Sequence, residues 1–180
     1  HFIYFPEREL ISSPGDAGLE YESVFFEASD GVKLHGWFVP GDDVTLVWFH
    51  GNAGNISHRV ENISMLHRRV GASIFIFDYR GYGRSSGEAS EQGTYLDAEA
   101  AIDYLRSRDD AAENQKLVLF GRSLGSAVAV EMAVRHKVHA IILESPFASI
   151  RDMARRAYPY LPSRVLIRMV KSRYDSISKI

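Results

Sequence analysis

The sequence predicts an α/β fold: a mostly parallel sheet with helices on both faces, preceded by an antiparallel hairpin at the N-terminal end. Three observations lead there. Apolar runs at 44–49, 73–77, 116–120 and 138–143 have the composition of strands covered on both faces. The segments between them carry apolar residues at helical spacing. Ahead of them, residues 20–28 and 33–39 read as two strands joined across Asp30-Gly31, a hairpin turn signal.

The elements follow in order. Past Gly41-Asp42-Asp43 comes the run 44–49, the first strand of the alternating part. Ile56, Val60, Ile63, Leu66 and Val70 then recur at three and four residues, which is one face of a helix. After the run 73–77, Tyr95, Ala98, Ala101, Ile102 and Leu105 do the same, and Thr94 with Asp97 has the spacing of a capping box. The run 116–120 leads into 123–136, apolar nearly all round with Glu131 as its main interior charge, so that helix is expected against the sheet. The run 138–143 is expected to be a further buried strand. No repeat or linker divides residues 1–180, which read as a single domain.

Composition narrows the function. A formal net charge of −2 gives no electrostatic reason to expect nucleic acid as a partner. With no cysteine, disulfides and thiolate metal sites are excluded, and no two histidines show ligand spacing with an acid, so no metal is expected. No apolar run approaches the ~18 residues that span a bilayer, and a cytoplasmic or membrane-associated location is favoured. The chain begins at His1, which leaves room for a lost leader or anchor.

In doubly wound folds the site forms at the carboxyl ends of the strands. Four such ends can be read: HGNAGN (50–55), DYRGYGRSSG (78–87), GRSLG (121–125) and ESPF (144–147). The third carries most chemistry. A serine between two glycines, at the junction of an apolar strand and a small-residue helix, has the pattern of a nucleophile elbow. Ser123 is therefore the candidate nucleophile, and the backbone N–H of Leu124, opening the helix, a candidate oxyanion donor. The competing reading is a glycine-rich helix start in a Rossmann-like domain. The loop 50–55 can supply a second donor, the backbone N–H of Asn52 with or without its side chain; the plainer reading is a strand-to-helix turn capped by Asn55 or Ser57. His50, beside that loop, is expected to be structural. Gly81, Gly83 and Gly87 are one residue too long for the dinucleotide fingerprint, and no helix starts directly behind them, so no nicotinamide or flavin site is expected. Asp78 and Arg80 are expected to pin this loop as a buried ion pair.

HGNAGN, FDYRGYGRSSG (77–87), LFGRSLGSA (119–127) and LESPF (143–147) together resemble serine hydrolases of the α/β-hydrolase superfamily. The resemblance is strongest to the subgroup of bud-emergence-type membrane-associated hydrolases and depalmitoylating abhydrolase-domain proteins, and runs from Tyr4-Phe5-Pro6 through Tyr174-Asp175-Ser176. It implies Ser123 as nucleophile, Asn52 and Leu124 as oxyanion donors, small-molecule acyl ester, thioester or amide substrates, and no cofactor. Serine at the elbow, rather than aspartate, argues against the haloalkane dehalogenase branch.

Members of that family place the acid, then the histidine, after later strands. Neither can be matched before Ile180: His136 and His139 fall at the amino ends of the strands, and Glu144, an alternative acid, would have no histidine to orient. The domain is therefore expected to be incomplete, lacking its last strands, and inactive by itself. A serine peptidase of the same fold, or a binding or scaffold protein without the triad histidine, are the alternatives. Residues 149–180 read as a cap segment in which eight bases join Tyr158, Tyr160 and Tyr174. Such a segment could lean on an anionic membrane surface and guide acyl chains toward Ser123; an amphipathic helix pair with a solvated basic face is the simpler expectation.

Overall fold

A computed structural model describes residues 4–108, 116–146 and 174. Its main sheet has strands β1 (Glu22–Glu27), β2 (Lys33–Val39), β3 (Asp42–Phe49), β4 (Ala72–Asp78), β5 (Lys116–Arg122) and β6 (Ala140–Glu144), in the spatial order β1-β2-β4-β3-β5-β6. The hairpin β1–β2 is antiparallel, and β2 joins β4 antiparallel; β4, β3, β5 and β6 run parallel. The expected hairpin and parallel runs are all present.

Helix α1 (Val60–Val70) carries the chain from β3 to β4, α2 (Glu91–Ser107) leads back across β3 toward β5, and α3 (Leu124–Arg135) follows β5. Strand residues alternate between two cores because successive side chains point to opposite faces. On one face Trp37, Leu46, Trp48, Ile74 and Ile76 pack with Ile56, Val60 and Ile63; on the other Val47, Phe49, Phe75, Phe77 and Leu119 pack with α2 and α3. The periodic residues Ala98, Ala101, Ile102 and Leu105 are fully buried, as the spacing required.

Three expectations need correction. Helix α2 starts a turn earlier than the Thr94–Asp97 spacing implied: Ser90, in extended conformation, caps it by accepting from the Gly93 N–H at 3.0 Å. Asp97 then falls on the inner face of the helix and bonds Arg80. That is the second correction. Arg80 pairs not with Asp78 but with Asp97 (Nε to Oδ1, 2.9 Å) and Asp30 (Nη1 to Oδ2, 2.7 Å), while Asp78 turns the other way, toward His35 and His50. The third concerns β6, which lies at the sheet edge with Ile141 39% and Ile142 49% exposed. Among the described strands it pairs only with β5, and its apolar run is not buried on both faces.

Candidate active site

The strand order brings three loops side by side. β3 lies between β4 and β5, and from β3 the chain departs first to one side and then to the other. In doubly wound sheets such a reversal marks where a site forms, and here loops 50–55, 78–87 and 121–125 meet at the carboxyl ends, Gly51 against Ser123 and Tyr82 on Asn52.

Ser123 stands at the sharp turn from β5 into α3, with φ 51° and ψ −114°, in a region that side chains other than glycine rarely adopt. The flanking glycines are demanded by contact. A Cβ on Gly125 would overlap the carbonyl of Phe49, and one on Gly121 would come 2.6 Å from Ser126 Cα. With both absent, α3 packs directly onto β3 and β5. The turn is tied down from β6: the Ser123 N–H donates to the Glu144 carbonyl at 2.9 Å, and Ser126 Oγ donates to the carbonyls of Gly121 (2.8 Å) and Glu144 (3.2 Å). Glu144 thus acts here through its backbone. Its carboxylate is directed at Arg122, 3.6 Å away, not at a histidine.

Leu124 is the first residue of α3, where N–H groups lack intrahelical acceptors and the helix dipole is positive. On the other side, Gly51 touches the elbow: a Cβ there would lie 3.8 Å from Ser123 Cβ. The next residue, Asn52, is half-buried and bonded through both oxygens to the Tyr82 hydroxyl. The elbow that carries Ser123 and Leu124 thus lies beside the loop that carries Asn52.

The loop 50–55 is held from below. His50, fully buried, donates through Nδ1 to the Gly51 carbonyl at 2.6 Å, and its Nε2 lies 3.8 Å from Asp78 Oδ1. That oxygen accepts the Ile56 N–H at 2.9 Å. His35 approaches the other carboxylate oxygen at 3.9 Å, its Nε2 being engaged by Ser23 Oγ at 2.9 Å. Burial holds the His50 imidazole below its ordinary pKa, against the opposing influence of Asp78 and the Gly51 carbonyl. This is the structural role expected of His50. Asn55 caps the short 3₁₀ turn Ile56–Arg59 by accepting from the Ser57 N–H at 2.9 Å, and its amide donates to the carbonyls of Glu7 and Glu9.

The Ser123 hydroxyl bonds no described residue. Each remaining described histidine is engaged elsewhere: His58 with Glu7, His67 with the Ala72 carbonyl, and His136 with Glu99, while His139 precedes β6 at the opposite end of the sheet. The cap segment 149–180 lies outside the described residues apart from Tyr174. That residue is in the core, not on a membrane-facing surface. Its hydroxyl lies 2.9 Å from Tyr4 Oη and 2.8 Å from Thr94 Oγ1, and its N–H donates to Glu91 at 2.8 Å. Sequence reasoning missed this tyrosine cluster and the Tyr82–Asn52 contact. The only signal was the pair Tyr79 and Tyr82 within a glycine-rich loop. Among the described residues no helix is long and apolar enough to cross a membrane.

Comparison with known proteins agrees with this fold. Residues 44–167 match the family model of the α/β hydrolase fold. The α/β hydrolase domain-containing protein WAV2 of Arabidopsis thaliana is 41% identical over 170 residues, which cover 88% of this chain and 55% of the relative. Protein bem46 of Schizosaccharomyces pombe is 34% identical over 165 residues, 87% of this chain and 55% of the relative. Among solved structures, the Pyrococcus furiosus esterase Pf2001 superposes with a TM-score of 0.74 at 24% identity, over 92% of this chain and 66% of that one. The chain belongs to the α/β-hydrolase family. Within it, the resemblance is to the bud-emergence-type abhydrolase-domain proteins, and the chain spans little more than half the length of these two curated relatives.

Proposed function

We propose that the protein is a serine hydrolase that cleaves carboxyl ester or thioester bonds of small acyl substrates through an acyl-enzyme on Ser123. The observation that carries this is the backbone of Ser123 itself. A non-glycine residue at positive φ, pressed between two glycines that cannot carry a side chain, is strain retained at the head of a helix where it exposes a hydroxyl. In the reaction Ser123 Oγ gives its proton to the histidine base as it bonds to the acyl carbon, the base later passes that proton to the leaving group, and the carbonyl oxygen takes up the negative charge. The N–H groups of Leu124 and Asn52 stabilise that charge. The bond to the leaving alcohol or thiol then breaks, the leaving group takes a proton, and water releases the acid from the ester on Ser123. The histidine base and the acid are assigned to residues beyond Ile180, because the chain spans little more than half of its curated relatives and every described histidine is either engaged elsewhere or, like His139, set at the opposite end of the sheet. No cofactor enters the scheme.

Intact-mass analysis after treating the full-length protein with a fluorophosphonate tests this. One adduct is expected, mapped to Ser123 and absent in Ser123→Ala. An unmodified Ser123 in folded full-length protein would exclude the acyl-enzyme and favour a binding or scaffold role.

A further inference from the structure

Tyr82 reaches Asn52 twice. Its hydroxyl lies 2.7 Å from the Asn52 carbonyl oxygen and 3.0 Å from Oδ1, so one phenolic proton serves two acceptors on the same residue. The ring is buried, set edge-on to His50 at 5.3 Å and to Tyr79 at 6.1 Å. Burial pushes the phenol above its ordinary pKa, so the hydroxyl keeps its proton at neutral pH.

The consequence lies in what Asn52 has left to offer. An amide carries one acceptor oxygen and an NH2 donor. With Oδ1 and the backbone carbonyl both turned to Tyr82, the NH2 is the part of the side chain that points away from the hydroxyl, and Asn52 Nδ2 bonds no described residue. Asn52 follows Gly51, which lies against Ser123. Released from the hydroxyl, the amide could turn its oxygen to the elbow, where an acceptor would repel the charge that develops in acyl transfer.

We propose that Tyr82 is a positioning residue: its hydroxyl holds the Asn52 amide by its oxygen, which leaves Nδ2 as a donor to the oxyanion in addition to the backbone N–H groups of Asn52 and Leu124. The proposal rests on Ser123 being the nucleophile. It makes Asn52 act through its side chain as well as its backbone, and assigns to the loop 78–87 a part in the reaction.

A double-mutant cycle on the full-length protein tests it, with a p-nitrophenyl ester as substrate and fluorophosphonate labelling as the control for Ser123. Tyr82→Phe keeps the ring and removes only the donor. It should lower kcat roughly tenfold with KM changed less than about twofold, somewhat less than direct loss of an oxyanion donor. In an Asn52→Ala background, which retains the backbone N–H, Tyr82→Phe should have almost no further effect. Asn52→Asp should be slower than Asn52→Ala, since it puts a carboxylate where the donor stood. Kinetics of Tyr82→Phe equal to wild type, effects that multiply across the cycle, a change in KM alone, or Asn52→Asp no slower than Asn52→Ala would each overturn the role of Tyr82 while Ser123 still labels. Failure of Ser123 to label in the wild type would remove the nucleophile assignment and this proposal together.

Discussion

Gly125 lies so close to Phe49 that a single methyl group on it would overlap the Phe49 carbonyl oxygen. The contact joins the first turn of α3 to the end of the central strand β3, and it sets how closely Ser123 approaches the loop 50–55. Because the obstacle is backbone on both sides, no rotamer change can relieve it. Gly125→Ala should therefore destabilise the protein by about 2 kcal/mol or more, a typical overpacking cost, read as a lower urea midpoint at unchanged slope.

Ser123 offers the opposite case. Its positive φ is a conformation that glycine adopts without penalty. Ser123→Gly should raise stability by roughly 1 kcal/mol while abolishing fluorophosphonate labelling. Thermal melts of Ser123→Gly, Ser123→Ala and wild type would order the three, with the glycine variant highest. A glycine variant less stable than wild type would show that the elbow is not strained.

Arg80 has two partners of different worth. Asp97 is fully buried, whereas Asp30 is 38% exposed. Asp97→Ala leaves the guanidinium under the helix with only the outer partner, and is expected to cost on the order of 3 kcal/mol. Asp30→Ala should cost less than about 1 kcal/mol. Chemical denaturation of the two variants side by side checks the ranking.

His50 makes a pH prediction. Its pKa in the folded protein lies below the ordinary value of 6.5 because of burial, so on acidification the unfolded chain takes up this proton first. The stability it contributes is present above the unfolded pKa and is lost as pH falls. Between about pH 7.5 and pH 5 the wild type should lose more unfolding free energy than His50→Gln. Equal losses would mean that His50 is not held neutral in the core.

The 180-residue chain, expressed alone, should turn over p-nitrophenyl esters poorly. Without a base to activate Ser123, oxyanion donors and binding retain about 10³- to 10⁴-fold over water, far short of a full triad. Esterase activity at enzymatic rates that disappears in Ser123→Ala would place a working base within these residues.

The sequence by itself determined the succession of strands and helices, and with it the chemistry at each strand end. Apolar runs, helical spacing and Asp30-Gly31 are local signals, and each produced its element. The elbow was legible for the same reason, because its glycines answer to contacts imposed wherever a helix doubles back onto the strand before it. Tertiary structure alone decided which side chains meet. Arg80 reaches Asp97 and Asp30 across 17 and 50 residues, and Tyr82 reaches Asn52 across 30. In sequence Asp78 was the obvious partner for Arg80 and Thr94 the obvious cap. In the fold Ser90 takes the cap, Asp97 turns inward, and the placement of β3 between β4 and β5 sets loop 78–87 beside loop 50–55. Those pairings follow from strand order and helix phase, which are settled by burying two faces of one sheet at once, and no local stretch of the chain encodes that.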